Sequence, residues 1–150
     1  KLYKGKRNLQ VFGGKTMKVI HVSGKRKSSI ARATLKEGDG VIRINNQILA
    51  HYSNKLARER INEPLKIVGM ETAKRVNFDI AVIGGGWQSQ TEAIRLAIAR
   101  ALVQYTKSDK LKKDFLNYDR HLLIADTRRN ETSKPNDSGK PRKKRQKSYR

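Results

Sequence analysis

The sequence predicts one domain of mixed strands and helices that lies between two basic arms. Short β-rich runs with turn signals fill the first part of the chain, and a long alanine-rich segment with helical periodicity follows them. A chain of 150 residues can build one domain with a real core, but it is short for two. We expect a basic arm over residues 1–18, the folded domain over 19–126, and an extended basic tail over 127–150.

Three strands are predicted early in the domain. The runs VIHVS (19–23) and SSIARATL (28–35) are rich in β-forming residues, and the glycine-led basic turn GKRK separates them. A second turn signal, EGDG at 37–40, precedes VIRIN at 41–45. These segments predict a hairpin-like antiparallel unit.

A first helix is predicted after this unit. The segment SNKLARERIN (53–62) offers Ser53 or Asn54 as a cap and apolar residues at helical spacing. Pro64 is expected to interrupt this helix.

The second half of the domain contains a strand and its longest helix. NFDIAVI (77–83) predicts a strand that runs into Gly84, Gly85 and Gly86. SQTEAIRLAIARALVQY (89–105) predicts a mostly buried helix, whose alanines allow a sheet to approach closely. A shorter amphipathic helix is predicted from SDKLKKDFLNY (108–118), and apolar residues stop after Asp126.

The charge excludes several classes of protein. The net charge of +22 is tolerable where dense negative charge surrounds the chain, as on a nucleic acid or an anionic membrane surface. A membrane-spanning helix is disfavoured, because Arg95 and Arg100 interrupt the most apolar segment. Binding of a surface helix to a membrane is also disfavoured, because glycines break any long amphipathic helix near the start of the chain. We therefore expect a soluble protein with no membrane partner.

The sequence offers little for catalysis or metal binding. It has no cysteine, and His21, His51 and His121 are at least thirty residues apart, so no metal and no cofactor are expected. Asp119 and Asp126 are interpreted as charge partners of neighbouring arginines rather than as a catalytic pair. We predict that the protein is not an enzyme.

Two glycine-rich segments resemble nucleotide-binding motifs only superficially. GGKT at 13–16 lacks the earlier glycine of a phosphate-binding P-loop, because Leu9 occupies that position. IGGGWQS at 83–89 does not fit G-x-G-x-x-G. Gly84, Gly85 and Gly86 are interpreted as a structural turn into the long helix, and the helix N-terminus is also suited to an RNA phosphate.

Clusters of lysine and arginine in turns and tails indicate polyanion binding. None of them alone distinguishes RNA from DNA, and Ser28 and Ser29 beside the first cluster are expected to cap backbone groups or to contact phosphate. The candidate binding residues of the clusters are Lys25, Arg26, Lys27, Ser28, Lys112, Lys113, Arg128, Arg129, Arg142, Lys143, Lys144 and Arg145.

Several motifs in one order resemble the family of universal ribosomal small-subunit protein number nine, in its archaeal and eukaryotic form. The motifs are SGKRKSSIARA (23–33), INEPLKIVG (61–69), DIAVIGGGWQSQTEAIRLAIARALV (79–103), YDRHLLIADTRRNE (118–131) and RQKSYR (145–150). Bacterial members end in Ser-Lys-Arg, whereas this chain ends in Ser-Tyr-Arg.

The resemblance implies an α+β fold: two layers, a four-stranded sheet with helices on one side, and a left-handed βαβ crossover. This is the fold of the second domain of small-subunit protein five, and its crossover departs from the usual right-handed rule.

The resemblance also implies a cytoplasmic, ribosomal location. The folded domain would bind ribosomal RNA in the head of the small subunit, beside neighbouring head proteins. The tail would reach the peptidyl (P) site, where Lys147, Ser148, Tyr149 and Arg150 would contact the tRNA.

Two alternatives stay open. Residues 1–16 are either a basic arm that binds more RNA or residues that precede a natural start at Met17. For function, the alternative is a protein that compacts or binds nucleic acids outside the ribosome, since such a protein has the same charge.

Overall fold

A sheet with helices packed on one of its faces forms the body of the computed structural model, which describes residues 9–12, 15–133 and 141–142. The strands are β1 (Leu9–Phe12), β2 (Lys15–Lys18), β3 (Ile20–Arg26), β4 (Ser29–Glu37), β5 (Ile42–Ile44), β6 (Gln47–Ile48) and β7 (Val76–Ile83). The helices are α1 (Lys55–Val68), α2 (Met70–Lys74), α3 (Trp87–Thr106) and α4 (Asp109–Tyr118), with short 3-10 turns at Leu49–His51 and Arg120–Leu122.

The main sheet has five strands in the order β3-β4-β7-β5-β6. Strands β3, β4 and β7 are antiparallel neighbours, and β5 runs parallel to β7. The α+β class predicted from the resemblance is confirmed, and the two-residue strand β6 extends the expected four strands to five. Helices α1 and α2 connect the parallel strands β5 and β7, which makes a βαβ unit; the left hand of its crossover stays a prediction.

The expected early antiparallel unit is only partly correct. Strands β3 and β4 form the predicted hairpin, but β7 lies between β4 and β5, so β5 does not pair with β4. The Asn77 side chain explains the arrangement, because its Oδ1 accepts hydrogen bonds from the amides of Asp39 and Val41 at 3.0 and 2.8 Å. The EGDG segment is thereby held across the start of β7 rather than folded into a tight turn.

Two strands lie inside the predicted N-terminal arm. Strands β1 and β2 pair with each other as an antiparallel hairpin, from Leu9 opposite Lys18 to Phe12 opposite Lys15. The sequence pattern carried no strand prediction there. The division into arm, domain and tail stays a prediction.

Helix α1 continues through Pro64, contrary to the expected interruption. Asn54 caps the helix by accepting a hydrogen bond from the Ala57 amide at 2.8 Å, and the helix ends at Gly69. Proline removes one hydrogen bond from a helix interior, but Ala57, Ile61 and Pro64 are all buried where α1 packs on α3. That apolar contact stabilises the helix beyond the proline.

Helix α3 is mostly buried, as its periodicity predicted, and it supplies more of the core residues than any other element. Alternate residues of the strands are buried against it, among them Leu35, Phe78 and Val82. Its alanines allow the sheet to come close: a Cβ added at Gly24 of β3 would lie 2.1 Å from the Ala93 carbonyl oxygen and 2.9 Å from the Ala97 nitrogen. The other sheet face is exposed in β3, β4, β5 and β7.

Gly24→Ala should destabilise the domain by about 1–3 kcal/mol, because the new methyl group would meet α3 backbone that cannot move alone. Urea unfolding followed by circular dichroism measures the change. Gly86→Ser is the control, since Gly86 is the N-cap of α3 with φ −96°, serine is favoured at an N-cap, and a Cβ there meets nothing within 4 Å. Equal stability of the two variants would contradict the close packing of β3 on α3.

Candidate nucleic-acid interface

The first predicted basic cluster forms the turn of the β3–β4 hairpin. Strand β3 runs to Arg26, which pairs with Ser29, so Lys27 and Ser28 alone make the turn. Lys27 has φ 52°, in the left-handed region that a lysine seldom adopts. Lys25, Lys27 and Ser28 are exposed, and we call residues 25–28 the basic turn.

Two of the three glycines, Gly84 and Gly85, pack against the end of this basic turn. The buried Ser29 hydroxyl donates a hydrogen bond to the Gly84 carbonyl oxygen at 2.8 Å. Gly84 and Gly85 have φ 77° and 65°, and added Cβ atoms would come within 2.5 Å of the Ser28 carbonyl oxygen and 2.1 Å of the Ser29 hydroxyl. Gly86 differs, because it is extended and open and serves as the N-cap of α3 without a side-chain cap.

The start of the tail lies beside the basic turn because Asp126 binds arginines from both segments. Its side chain is 8% exposed and pairs with Arg26 of the hairpin. It also accepts hydrogen bonds from the Arg128 backbone amide at 2.8 Å and from Arg128 Nε at 3.1 Å. We call residues 123–129 the tail root and this cluster the Asp126 clamp.

Arg100 of α3 provides a second connection. Its Nη1 donates a hydrogen bond to the Ser23 carbonyl oxygen of β3, and its Nε donates to the Leu123 carbonyl oxygen, both at 3.0 Å. One guanidinium therefore joins the first strand of the main sheet to the tail root.

A groove opens between the basic turn, α1, the N-terminal part of α3 and the tail root. We call it the tail-root groove. Cationic or hydrogen-bonding side chains line it from all four segments, namely Lys25, Lys27, Arg60, Gln88, Ser89, His121 and Arg128. Acidic residues line it as well: Glu63, Glu92, Asp119 and Asp126.

Buried Arg95 pairs with three of these acidic residues. Its Nη2 lies 2.5 Å from Glu63 Oε2, and its Nη1 lies 2.7 Å from Asp119 Oδ2 and 3.6 Å from Glu92 Oε2. Arg60 Nη1 lies 2.5 Å from Glu92 Oε1. The carboxylates are thus paired with arginines, whereas Lys25 and Lys27 have no carboxylate oxygen within 4.0 Å in the ranges that the structure describes.

These contacts also shift pKa values in the network. Burial alone lowers the pKa of Arg95, but the hydrogen bond to Asp119 and the nearby carboxylates outweigh burial and raise it. Burial raises the pKa of Asp119, but its hydrogen bonds from the His121 amide and from Arg95 lower it further than burial raises it. The network therefore keeps both partners charged.

The structure brings only some of the predicted binding residues together. Lys25, Arg26, Lys27 and Arg128 line the groove, whereas Lys112 and Lys113 are exposed on α4 and do not. Ser28 and Arg129 are exposed, and Arg142 is exposed and binds Glu131 through Nε at 2.9 and 3.0 Å. Outside the described residues lie Lys143, Lys144, Arg145, Lys147, Ser148, Tyr149 and Arg150.

Sequence reasoning missed the Arg60, Glu63, Glu92 and Arg95 network and the groove side chains Gln88, Ser89 and His121. One signal was available, because an arginine within an otherwise apolar helix requires buried acidic partners. Asp126 does pair with Arg128 as expected, whereas Asp119 pairs with Arg95 rather than with a neighbour in sequence.

The described residues contain no group of three histidine, aspartate or glutamate side chains arranged to hold a metal ion. Within the same ranges, no helix has the length and apolar character needed to span a membrane.

Comparison with known proteins gives one consistent result. A family model described as ribosomal protein S9/S16 matches residues 24–150. The chain is 49% identical over 135 residues to the small ribosomal subunit protein uS9 of Methanococcus maripaludis strain C7, an alignment that covers 89% of this chain and 100% of the relative. It is 46% identical, with the same coverage, to the protein of that name from Methanococcus vannielii.

Asp126→Asn should loosen the tail root, because the amide leaves Arg26 without its anionic partner while nearly preserving the side-chain shape. We expect faster tryptic cleavage after Arg128 and a loss of about 1–3 kcal/mol in the free energy of unfolding. Limited proteolysis with mass spectrometry measures the first effect. Asp114→Asn on the exposed face of α4 is the control, and cleavage at equal rates in both variants would contradict the clamp.

Proposed function

Because the chain belongs to the ribosomal protein S9/S16 family, we propose that it is a structural component of the small ribosomal subunit in the cytoplasm. Its folded domain binds ribosomal RNA through the tail-root groove, beside neighbouring proteins of the subunit head. Its tail contacts the tRNA in the P site. The protein acts by binding and positioning RNA rather than by catalysis.

The observation that carries the RNA-binding proposal is the meeting of two distant basic segments at one groove. The Asp126 clamp brings Arg128 next to Lys25 and Lys27, although about a hundred residues separate them in the chain. Arg95 and Arg60 pair with three of the acidic residues that line the groove. Converging cations with hydrogen-bonding side chains suit an RNA backbone, whose phosphates need charge and whose 2′-hydroxyls need donors and acceptors.

The N-terminus of α3 adds to this environment. Gly86 caps the helix with backbone alone, and Gln88 and Ser89 in the first turn line the groove. Backbone amides at a helix start favour negative charge, so this end of α3 supports phosphate binding by the lysines opposite.

The tail proposal rests on charge and reach. Residues 127–150 contain ten lysines and arginines but only Glu131 and Asp137 as acids. Twenty-four residues span roughly 80 Å when extended, so a tail fixed at the clamp can reach a tRNA that the domain does not touch. Arg128 and Arg129 fix its start, Arg142, Lys143, Lys144 and Arg145 bind ribosomal RNA, and the last four residues meet the tRNA.

Removing residues 127–150 should lower the salt dependence of RNA binding. If every tail cation neutralises one phosphate, the slope of log affinity against log salt falls by about seven to nine units, and by less if fewer engage. Filter binding of small-subunit ribosomal RNA at several salt concentrations measures this slope. A tail of equal length made of glycine and serine serves as control and should match the deletion, and a wild-type slope in both would refute RNA binding by the tail.

Deleting Lys147–Arg150 should weaken tRNA retention without preventing subunit assembly. The deletion removes two phosphate-binding cations, Lys147 and Arg150, and the only aromatic ring of the tail, whereas the Asp126 clamp and most of the tail stay in place. We expect a loss on the order of 1 kcal/mol per contact. The measurement is P-site tRNA affinity and dissociation rate on purified subunits that carry the shortened protein.

Lys143→Gln with Lys144→Gln is the matched control, because it removes tail charge but retains the last four residues. P-site binding at the wild-type level in the deletion would exclude the tRNA contact and leave the ribosomal RNA proposal intact. Co-sedimentation with free RNA or DNA instead of small subunits would instead favour a nucleic-acid-compacting protein.

A further inference from the structure

The sheet face that carries no helix has a charge pattern of its own. Along each strand, one set of alternate residues is buried against the helices, and the other set points to the opposite side. We call this second side the open face. One row of paired residues crosses the middle of this face. It runs from His21 on β3 through Thr34 on β4 and Asp79 on β7 to Arg43 on β5.

Three cations, Arg32, Lys36 and Arg43, lie in the middle of the open face, and Lys25 lies at its hairpin end, where it also lines the tail-root groove. Arg32 and Lys36 flank Thr34 on β4, and Arg43 lies on β5, level with Thr34 and two strands away. The rise per residue places Arg32 and Lys36 about 13 Å apart, and the spacing of strands places Arg43 about 10 Å from the line that joins them. The three charges therefore cover an area much wider than one small anion.

Acidic residues are concentrated on the other layer. Asp79 is the acid in the middle of the open face, and Glu37 and Asp39 lie at the end of β4 and in the loop after it, whereas the helices carry Glu59, Glu63, Glu71, Glu92, Asp109 and Asp114. Among the described residues, no carboxylate oxygen lies within 4.0 Å of the side-chain nitrogens of Arg32, Lys36 or Arg43. By contrast, Arg26, Arg60, Arg95 and Arg128 all bind carboxylates.

We infer that the open face is a second RNA-binding surface, on which Arg32, Lys36 and Arg43 bind phosphates of an RNA segment different from the one in the tail-root groove. The inference rests on the proposed ribosomal function and extends it, since the protein would then hold two RNA segments on opposite layers. Separated cations without acidic partners match a polyanion backbone. Ser23, Thr34 and His21 add hydrogen-bonding groups between them.

The arrangement fits RNA better than a protein partner. Protein interfaces have an apolar centre and a polar rim. Here the exposed isoleucines lie towards the margins, with Ile83 near the end of β7 and Ile48 on the edge strand β6, while the central row is polar or charged.

The test uses a full-length variant with Arg32→Gln, Lys36→Gln and Arg43→Gln. The probe is small-subunit ribosomal RNA transcribed from the same organism, and affinity is measured from low to high salt. If each cation binds one phosphate, the slope of log affinity against log salt falls by about two units or more. The control variant carries Lys55→Gln, Lys74→Gln and Arg75→Gln, which remove the same charge from exposed positions on the helical layer. It should keep a nearly wild-type slope.

A second variant tests the same surface through an expected gain in RNA affinity. Asp79→Asn removes the acid of the open face and should tighten RNA binding several-fold at low salt. Glu71→Gln on α2 makes the same change in net charge and should have a smaller effect. Asp79→Asn should raise affinity and the triple variant should lower the slope, so circular dichroism spectra that match wild type in both variants show that neither effect arises from misfolding.

The outcomes separate this inference from the proposed function. A reduced slope in the triple variant and tighter binding by Asp79→Asn support the second surface. A wild-type slope in the triple variant and wild-type affinity in Asp79→Asn, with a reduced slope in a Lys27→Gln, Arg128→Gln variant, would overturn the second surface alone. Unchanged slopes in all variants would overturn RNA binding by the domain. Normal RNA binding with loss of the triple variant from reconstituted subunits would assign the open face to a protein and overturn the inference.

Discussion

The contact of β3 with α3 at Gly24 determines where the rest of the structure can lie. Glycine lets the strand backbone rest directly on Ala93 and Ala97, at a distance that no side chain would permit. The basic turn follows Gly24 immediately, so this contact sets the position of the turn relative to the start of α3. Arg100, one helical turn beyond Ala97, can then bind both β3 and the tail root with one guanidinium. The candidate RNA site is therefore a consequence of close helix-sheet packing.

Arg95 shows how a strongly basic protein uses its few acidic residues. A buried arginine is costly unless its hydrogen-bonding groups find partners. Glu63, Glu92 and Asp119 provide them for Nη1 and Nη2 of Arg95 from α1, α3 and the segment after α4, while Nε has no partner in the described part of the chain. The network joins these segments where apolar packing ends. It also keeps the acidic charge close to an internal cation, so that the groove still suits an anionic ligand.

Sequence periodicity predicted the individual helices and strands better than the order of strands in the sheet and the packing of helices on it. The alanines and isoleucines of α3 and the alternating residues of β4 each form their pattern within one segment, so the pattern is visible without the fold. The insertion of β7 between β4 and β5 depends on Asn77 binding a distant loop, and the continuation of α1 through Pro64 depends on burial against α3. Contacts of that kind have no local signature. The same limit applies to the site, where the Lys25–Lys27 cluster was visible as a charge run but its groove partners Gln88 and His121 were not.

The sequence separation of the two arginines that Asp126 binds determines when the groove can form during synthesis of the chain. Asp126 binds Arg26 across about a hundred residues, so the two halves of the groove come from segments that leave the ribosome at very different times. The basic turn emerges early and is exposed without its counterpart for most of translation. The complete groove forms only after residue 128 has emerged, and its closure is a contact of long sequence separation that forms late. A nascent chain of this protein therefore lacks the finished site until the domain is nearly complete, which limits premature capture of RNA by its first basic segment.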